Sequence, residues 1–138
     1  MPGALLSRKA FRDAVLRRSD GRCVFCGAPA VDAHHVIERK LFPDGGYVLE
    51  NGAAVCENDH WRCETGELSP EVVRRAAGIL EAVLPPGFPP GSVIDKWGNT
   101  VRSDGLLEPG PLFDDVGARR ALAAGGRLGL FIPKGTLT

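Results

Sequence analysis

The sequence has no stretch of about 18 consecutive apolar residues, the length that an α-helix needs to cross a membrane. It also lacks an N-terminal apolar segment followed by a small-residue cleavage site, so we expect no secretory signal and a cytoplasmic protein. Lysine plus arginine number 17, and aspartate plus glutamate also number 17, so the formal net charge is zero. Net charge therefore neither indicates nor excludes a polyanionic partner, and the local distribution of charge must decide.

Aromatic residues make up only 7% of the chain, whereas 18 glycines and 11 prolines predict many turns and short elements. The apolar content of 43% is enough for one hydrophobic core. A length of 138 residues suits a single domain of ordinary size with an extended tail.

All four cysteines and all three histidines lie between positions 23 and 63. Thiolate and imidazole are preferred zinc ligands, and cytoplasmic cysteines bind metal more often than they form disulfides. Two disulfides are the alternative, but the histidines lie between the cysteine pairs and the spacing is typical of ligands. The concentration of these residues indicates metal chemistry.

Capping residues and apolar spacing predict a series of short elements. We expect helices over 7–19 and 58–65, strands over 31–37 and 52–56, and a helix that begins after Ser69 and carries Leu80 and Val83 on its apolar side. Further along, the pattern predicts a hairpin over 93–101, a helix over 115–124 and a strand over 127–132. Basic residues on the other faces of the first helix belong either to a solvated surface or to a phosphate-contacting one.

The motif Cys-x-x-Cys, followed by Asp-x-His-His-Val, a Gly-Gly loop, Asn and Cys-x-x-x-His, resembles the HNH endonucleases over residues 22–66. Residues 69–79 and 95–99 also resemble a phage and bacterial subgroup of that family. The resemblance implies an α+β protein with a ββα-metal (His-Me finger) core, a zinc knuckle, flanking helices and a short C-terminal β/α extension. We expect residues 1–84 to form the nuclease domain and residues 85–138 to pack on it as a Pro/Gly-rich extension.

The same resemblance implies roles for individual residues. His35 corresponds to the general base, and Asn51 to the residue that orients the base or its loop. His34 and His60 correspond to ligands of a catalytic divalent metal, which is Mg²⁺ or another ion such as Mn²⁺ or Ni²⁺. A neutral imidazole is a suitable base near pH 7, and two protein ligands leave positions for water and phosphate. Arg39 and Lys40 follow His35 in the sequence, and they either bind the phosphates of the nucleic-acid backbone or belong to a solvated loop.

A second, structural metal is expected to be zinc bound by Cys23, Cys26 and Cys56. Related zinc-containing proteins usually have Cys-x-x-Cys-His, but here Asp59 stands in the place of the second cysteine. We favour Cys63 as the fourth ligand, because four thiolates make a closed structural site. Asp59 is the alternative, and if it is free it can cap the helix or assist the catalytic metal.

The sequence thus predicts a metal-dependent endonuclease that hydrolyses DNA phosphodiester bonds, with DNA as its partner and a homodimer as a possible assembly. A zinc-stabilised nucleic-acid-binding module without catalysis is the alternative. Such a binder needs the cysteines but not the histidines, and the presence of all three histidines favours the enzyme.

Overall fold

The computed structural model describes residues 3–132, and within them the α+β class is confirmed by four α-helices and two small antiparallel sheets. The helices are α1 (Arg8–Arg18), α2 (Glu57–Glu64), α3 (Pro70–Ala77) and α4 (Val116–Ala124). The first sheet pairs β1 (Asp32–His35) with β2 (Gly52–Val55), and the second pairs β3 (Thr100–Val101) with β4 (Leu107–Glu108). Short 3-10 turns occupy Arg39–Leu41, Leu49–Asn51 and Leu128–Leu130.

Helix α1 begins where the sequence predicts, because the Ser7 hydroxyl accepts a hydrogen bond from the Ala10 N–H at 3.1 Å. Its apolar stripe buries Phe11 and Val15 against Ala54 of β2. The stripe leaves most of the basic side chains of the helix exposed on its outer surface.

The β1–β2 hairpin places the two adjacent histidines opposite small residues, with His34 paired to Ala53 and His35 to Gly52. A Cβ atom at Gly52 would lie 2.5 Å from a Val15 methyl group, so only glycine lets α1 pack this closely on the strand. Close packing of α1 brings its N-terminal half next to His35.

Helix α2 follows β2 directly, and the sulfur of Cys56 accepts a hydrogen bond from the Asp59 N–H at its first turn. Strand β1, strand β2 and helix α2 therefore form one compact unit, in which the two histidines of β1 lie near the side chains of α2. Contacts of α2 with both β1 and β2 hold this unit together.

Helix α3 starts at Pro70 after the Ser69 cap, as predicted, but it is shorter than the apolar pattern suggested. Gly78 adopts a left-handed φ of 73° and ends the helix after Ala77. Leu80 is consequently exposed, and Val83 packs on the core from a loop rather than from the helix.

The segment after residue 84 packs on the rest of the chain. Ile94 belongs to the main core with Val36, Ile37 and Val55. A bridge between Ile94 and Thr100 forms the predicted turn. The strand expected over 127–132 is instead a 3-10 turn with one bridge from Phe131 to Leu107, and residues 133–138 lie outside the described part. No helix among residues 3–132 is long and apolar enough to cross a membrane.

Candidate metal centres and cleft

Three cysteines and one aspartate converge at the start of α2. The ligand atoms of Cys23, Cys26, Cys56 and Asp59 all lie within 4.8 Å of one another. Asp59 Oδ2 lies 3.2 Å from the Cys23 sulfur and 3.3 Å from the Cys56 sulfur, and the Cys26 and Cys56 sulfurs are 3.7 Å apart. All four cysteines of the chain are free thiols in the structure. Three thiolates and a carboxylate can hold a metal such as zinc.

The ionisation of the side chains in this cluster is compatible with a bound cation. The Asp59 N–H favours the Cys56 thiolate, but burial and the neighbouring acid and thiols outweigh it and raise the pKa of Cys56 to about 11. Burial opposes ionisation of Asp59, yet hydrogen bonds from Cys23, Arg62 and Cys56 hold its pKa below the usual value. A divalent cation would oppose these effects and favour the thiolate form of Cys56.

Cys63, the preferred fourth ligand, lies outside this cluster, whereas Asp59, the alternative, lies within it. Four residues along an α-helix correspond to a rise of about 6 Å, which carries Cys63 one turn beyond the other sulfurs. Cys63 is instead fully buried among apolar side chains of the main core, and burial raises its pKa to about 12.

A second cluster joins β1 to the middle of α2. The ligand atoms of His34, His60 and Glu64 lie within 4.8 Å of one another. Glu64 Oε1 is 3.0 Å from His60 Nε2 and 3.5 Å from His34 Nδ1. The other ring nitrogen of His60, Nδ1, lies 3.5 Å from Asp32 Oδ2, the arrangement in which a carboxylate orients a ligating imidazole.

The protonation states of this second cluster suit a cation. Burial lowers the pKa of His34 to about 4, with Glu64 acting in the opposite direction, so the ring is neutral at pH 7. Burial would raise the pKa of Glu64, but its close contacts with both histidines and the charge of Lys96 hold it below its ordinary value. His34 Nδ1 is buried and forms no hydrogen bond within residues 3–132, although most buried polar atoms in proteins are hydrogen-bonded. Two imidazoles, that of His34 being neutral, and a carboxylate therefore fit a divalent metal ion.

His35 lies on the opposite face of β1 from His34, as expected from the period of a strand. Its ring stacks on Phe11 with centroids 4.7 Å apart and meets Tyr47 edge-on at 5.0 Å. Burial, followed by the positive charge of Lys96, lowers the pKa of His35 to about 4. Two aromatic rings thus hold a neutral imidazole in one orientation.

Asn51 is buried and bonds to backbone rather than to His35. Its Oδ1 accepts from the Ile37 N–H at 3.0 Å, and its Nδ2 donates to the carbonyls of Ile37 at 3.1 Å and Gly46 at 3.3 Å. Asn51 therefore fixes the segment that leaves β1 and the Gly-Gly loop, and it does not line the cleft described next.

A cleft of about 720 Å³ brings the second cluster and His35 together. Its basic lining consists of Arg8, Lys9 and Arg12 from α1, Arg39 from the turn after β1, and Lys96. Lys40 is directed elsewhere, because its ammonium pairs with Asp115 at 3.1 Å. The two basic residues predicted together thus separate, and only Arg39 reaches the cleft.

Two acidic residues of this region were not assigned a role from the sequence. Glu64 lies four residues after His60, one helical turn along α2, and that spacing is the signal that could have identified it. Glu38 lines the cleft through a long-range pair with Lys96, for which local sequence offers no signal.

Comparison of the chain with family models, with curated proteins and with solved structures gave no match.

Proposed function

We propose that the chain is a metal-dependent endonuclease of the HNH type that hydrolyses DNA phosphodiester bonds, with β1, β2 and α2 as its ββα-metal core. One observation carries the proposal. A single cleft contains a neutral histidine, His35, beside a cluster of two histidines and a carboxylate, and its rim is basic. Phosphodiester hydrolysis needs a base for water, a cation for the phosphate charge, and positioning.

His35 is proposed as the general base. Its low pKa keeps the ring unprotonated at neutral pH, and the phosphate anion beside it favours the imidazolium as it forms. The ring takes a proton from water, the water oxygen attacks phosphorus, and the bond to the 3′ oxygen breaks as that oxygen takes a proton from solvent. The products are a 5′-phosphate and a 3′-hydroxyl, as the resemblance to HNH enzymes implies.

His34, His60 and Glu64 are proposed to hold the catalytic ion, Mg²⁺ or another divalent metal such as Mn²⁺ or Ni²⁺. When bound, the ion would supply Lewis-acid stabilisation of the phosphate and the leaving oxygen. Asp32, near the far nitrogen of His60, orients that ring. The Cys23, Cys26, Cys56 and Asp59 cluster is proposed to hold structural zinc, which fixes the start of α2 and so the position of His60.

The rim supports a polyanionic strand as the substrate. Arg8 and Arg39 form no ion pair within residues 3–132, so their charges are available to phosphate groups. Arg12 and Lys9 pair only with exposed or half-buried carboxylates, Asp32 and Asp13, and such pairs exchange readily. Whether one strand or both are cut depends on dimerisation, which gel filtration with light scattering can determine.

The direct test is incubation of supercoiled plasmid with the protein in Mg²⁺, Mn²⁺, Ni²⁺ or EDTA. We expect nicked or linear product only with a divalent ion. His35→Ala should abolish cleavage, whereas Tyr47→Phe should cleave like the wild type, because it preserves the ring against His35. Cleavage by His35→Ala at the wild-type rate would exclude His35 as the base.

The alternative of a zinc-stabilised binding module has a distinct outcome. In that case no divalent ion would produce cleavage, yet the protein would still bind DNA with a salt-dependent affinity. The second cluster argues for the enzyme, because a binder has no need for two histidines, one of them buried, around a carboxylate.

A further inference from the structure

The segment from Ile94 to Asn99 is buried at every position although it contains Asp95, Lys96 and Asn99. One Asp95 oxygen accepts hydrogen bonds from the backbone N–H groups of Trp97 and Asn99, both at 2.9 Å. This turn fixes the backbone on either side of Lys96. The segment belongs to the C-terminal extension, to which the sequence assigned no role.

The Lys96 ammonium contacts two carboxylates that both line the cleft. It donates a hydrogen bond to Glu38 Oε2 at 2.7 Å and lies 3.5 Å from Glu64 Oε2. The same ammonium lies 4.4 Å from the centre of the Trp97 ring. A buried lysine is costly unless it is paired in this way, and an apolar residue of similar length would fill the same space without that cost. A role in packing alone does not account for the charge.

The two oxygens of Glu64 have separate partners. Oε1 contacts His60 Nε2 at 3.0 Å and His34 Nδ1 at 3.5 Å, whereas Oε2 is the oxygen near Lys96. The backbone is tied to the same segment, because the Trp97 indole N–H donates to the Glu64 carbonyl at 3.0 Å. Both the side chain and the backbone of Glu64 are therefore held from residues 96 and 97.

We propose that Lys96 is a positioning residue of the histidine metal site, which holds Glu64 Oε2 so that Oε1 faces His34 and His60. The proposal rests on the metal site of the proposed function and gives the C-terminal extension a part in completing it. The closer Glu38 carboxylate offsets the charge of Lys96, which reduces the repulsion between its ammonium and a divalent ion.

The test measures Mn²⁺ binding by calorimetry, without nucleic acid, on full-length protein preloaded with one zinc ion per chain. Residues that orient metal ligands typically change affinity by about 10- to 100-fold. We expect Lys96→Met to weaken Mn²⁺ binding about 10-fold. Arg102→Met removes a positive charge from the same extension, where Arg102 pairs with Asp104, and should bind Mn²⁺ like the wild type. If Lys96→Met does not fold, Lys96→Gln takes its place with the same expectation.

A double-mutant cycle with Glu64→Gln separates positioning from general damage. In the Glu64→Gln background, Lys96→Met should change the Mn²⁺ affinity by less than about 3-fold, because the carboxylate on which Lys96 acts is gone. An equal loss in both backgrounds, or unchanged or tighter binding by Lys96→Met alone, would overturn the role of Lys96. Absence of Mn²⁺ binding by the wild type would overturn the histidine metal site and this inference with it.

Discussion

The carboxylate of Asp59 directs Oδ2 to within 3.2 Å of the Cys23 sulfur. Its other oxygen accepts a hydrogen bond from Arg62 at 3.0 Å, so the carboxylate is fixed from both sides. A residue that the sequence offered only as an alternative ligand thus closes the cysteine cluster, and this contact leads to the first prediction.

Asp59→Asn should weaken zinc binding at least about 10-fold, because a neutral amide replaces an anionic ligand and its orientation is no longer set by Arg62. Cys63→Ala should retain zinc with wild-type affinity and lower the free energy of unfolding by only about 1 kcal/mol. Titration against a coloured zinc chelator measures both affinities. Loss of zinc by Cys63→Ala with retention by Asp59→Asn would reverse the assignment.

Cys23→Ser should destabilise the whole domain, since Cys23 is a buried member of the cluster and the binding of structural zinc is coupled to folding. We expect a markedly lower melting temperature and no bound zinc by elemental analysis. Chelation of zinc from the wild type should give a similarly low melting temperature. A melting temperature unaffected by the substitution would count against a structural role for the cluster.

Asn51→Ala should lower the free energy of unfolding by about 3 kcal/mol, because it leaves the Ile37 N–H and two backbone carbonyls without their buried partner. Zinc content should be unchanged, since Asn51 lies outside the cysteine cluster. Urea denaturation followed by circular dichroism measures the loss. If stability stayed at the wild-type level while cleavage disappeared, Asn51 would act on the reaction itself rather than on the loop.

Arg39→Gln should weaken DNA binding and reduce the slope of log affinity against log salt by about one, as expected for a lost phosphate contact. Lys40→Gln is the matched control, because Lys40 pairs with Asp115 outside the cleft. Fluorescence anisotropy at several salt concentrations, without added divalent ions, measures both. Equal losses from the two variants would indicate a general charge effect rather than a cleft contact.

The sequence could predict the elements that depend on local chemistry. The Ser7 and Ser69 caps mark the starts of α1 and α3, and alternation along β1 predicts that the two histidines face opposite sides. The sequence could not resolve which side chain of α2 reaches the cysteines, because Asp59 and Cys63 lie on the same face of the helix and differ only in their position along its axis. Which of the two positions lies beside the cysteines depends on how α2 packs against β1 and β2, which is a tertiary property.

The contacts of Lys96 were beyond sequence reasoning for a related reason. Lys96 meets Glu38 across 58 positions of the chain, and no periodicity relates residues so far apart. By contrast, the spacing of His60 and Glu64 by one helical turn was visible in the sequence, but spacing alone does not show that the glutamate faces the histidines of the cleft. In the structure Arg62 bonds to Asp59 and Glu67, which leaves Glu64 to the histidines.

The low pKa of His34 predicts a pH dependence of stability. The pKa is about 4 in the folded chain against an ordinary value of 6.5, so between these values only the unfolded chain binds the proton. The free energy of unfolding should therefore fall as the pH drops from 6.5 towards 4, by about 2 kcal/mol at pH 5. The depressed pKa of Glu64 acts in a separate window, because its stabilisation is lost only as the pH falls below about 4.5.

His34→Gln isolates this effect, because His35 and the cysteine cluster contribute equally to both proteins. Urea denaturation of zinc-loaded wild type and His34→Gln at pH 7 and pH 5 should show that the wild type loses about 2 kcal/mol more than the variant. A neutral imidazole is the form that binds a metal, so the same shift keeps His34 competent as a ligand at pH values where an exposed histidine is already charged. Parallel losses in the two proteins would mean that the pKa of His34 is not lowered in the folded chain.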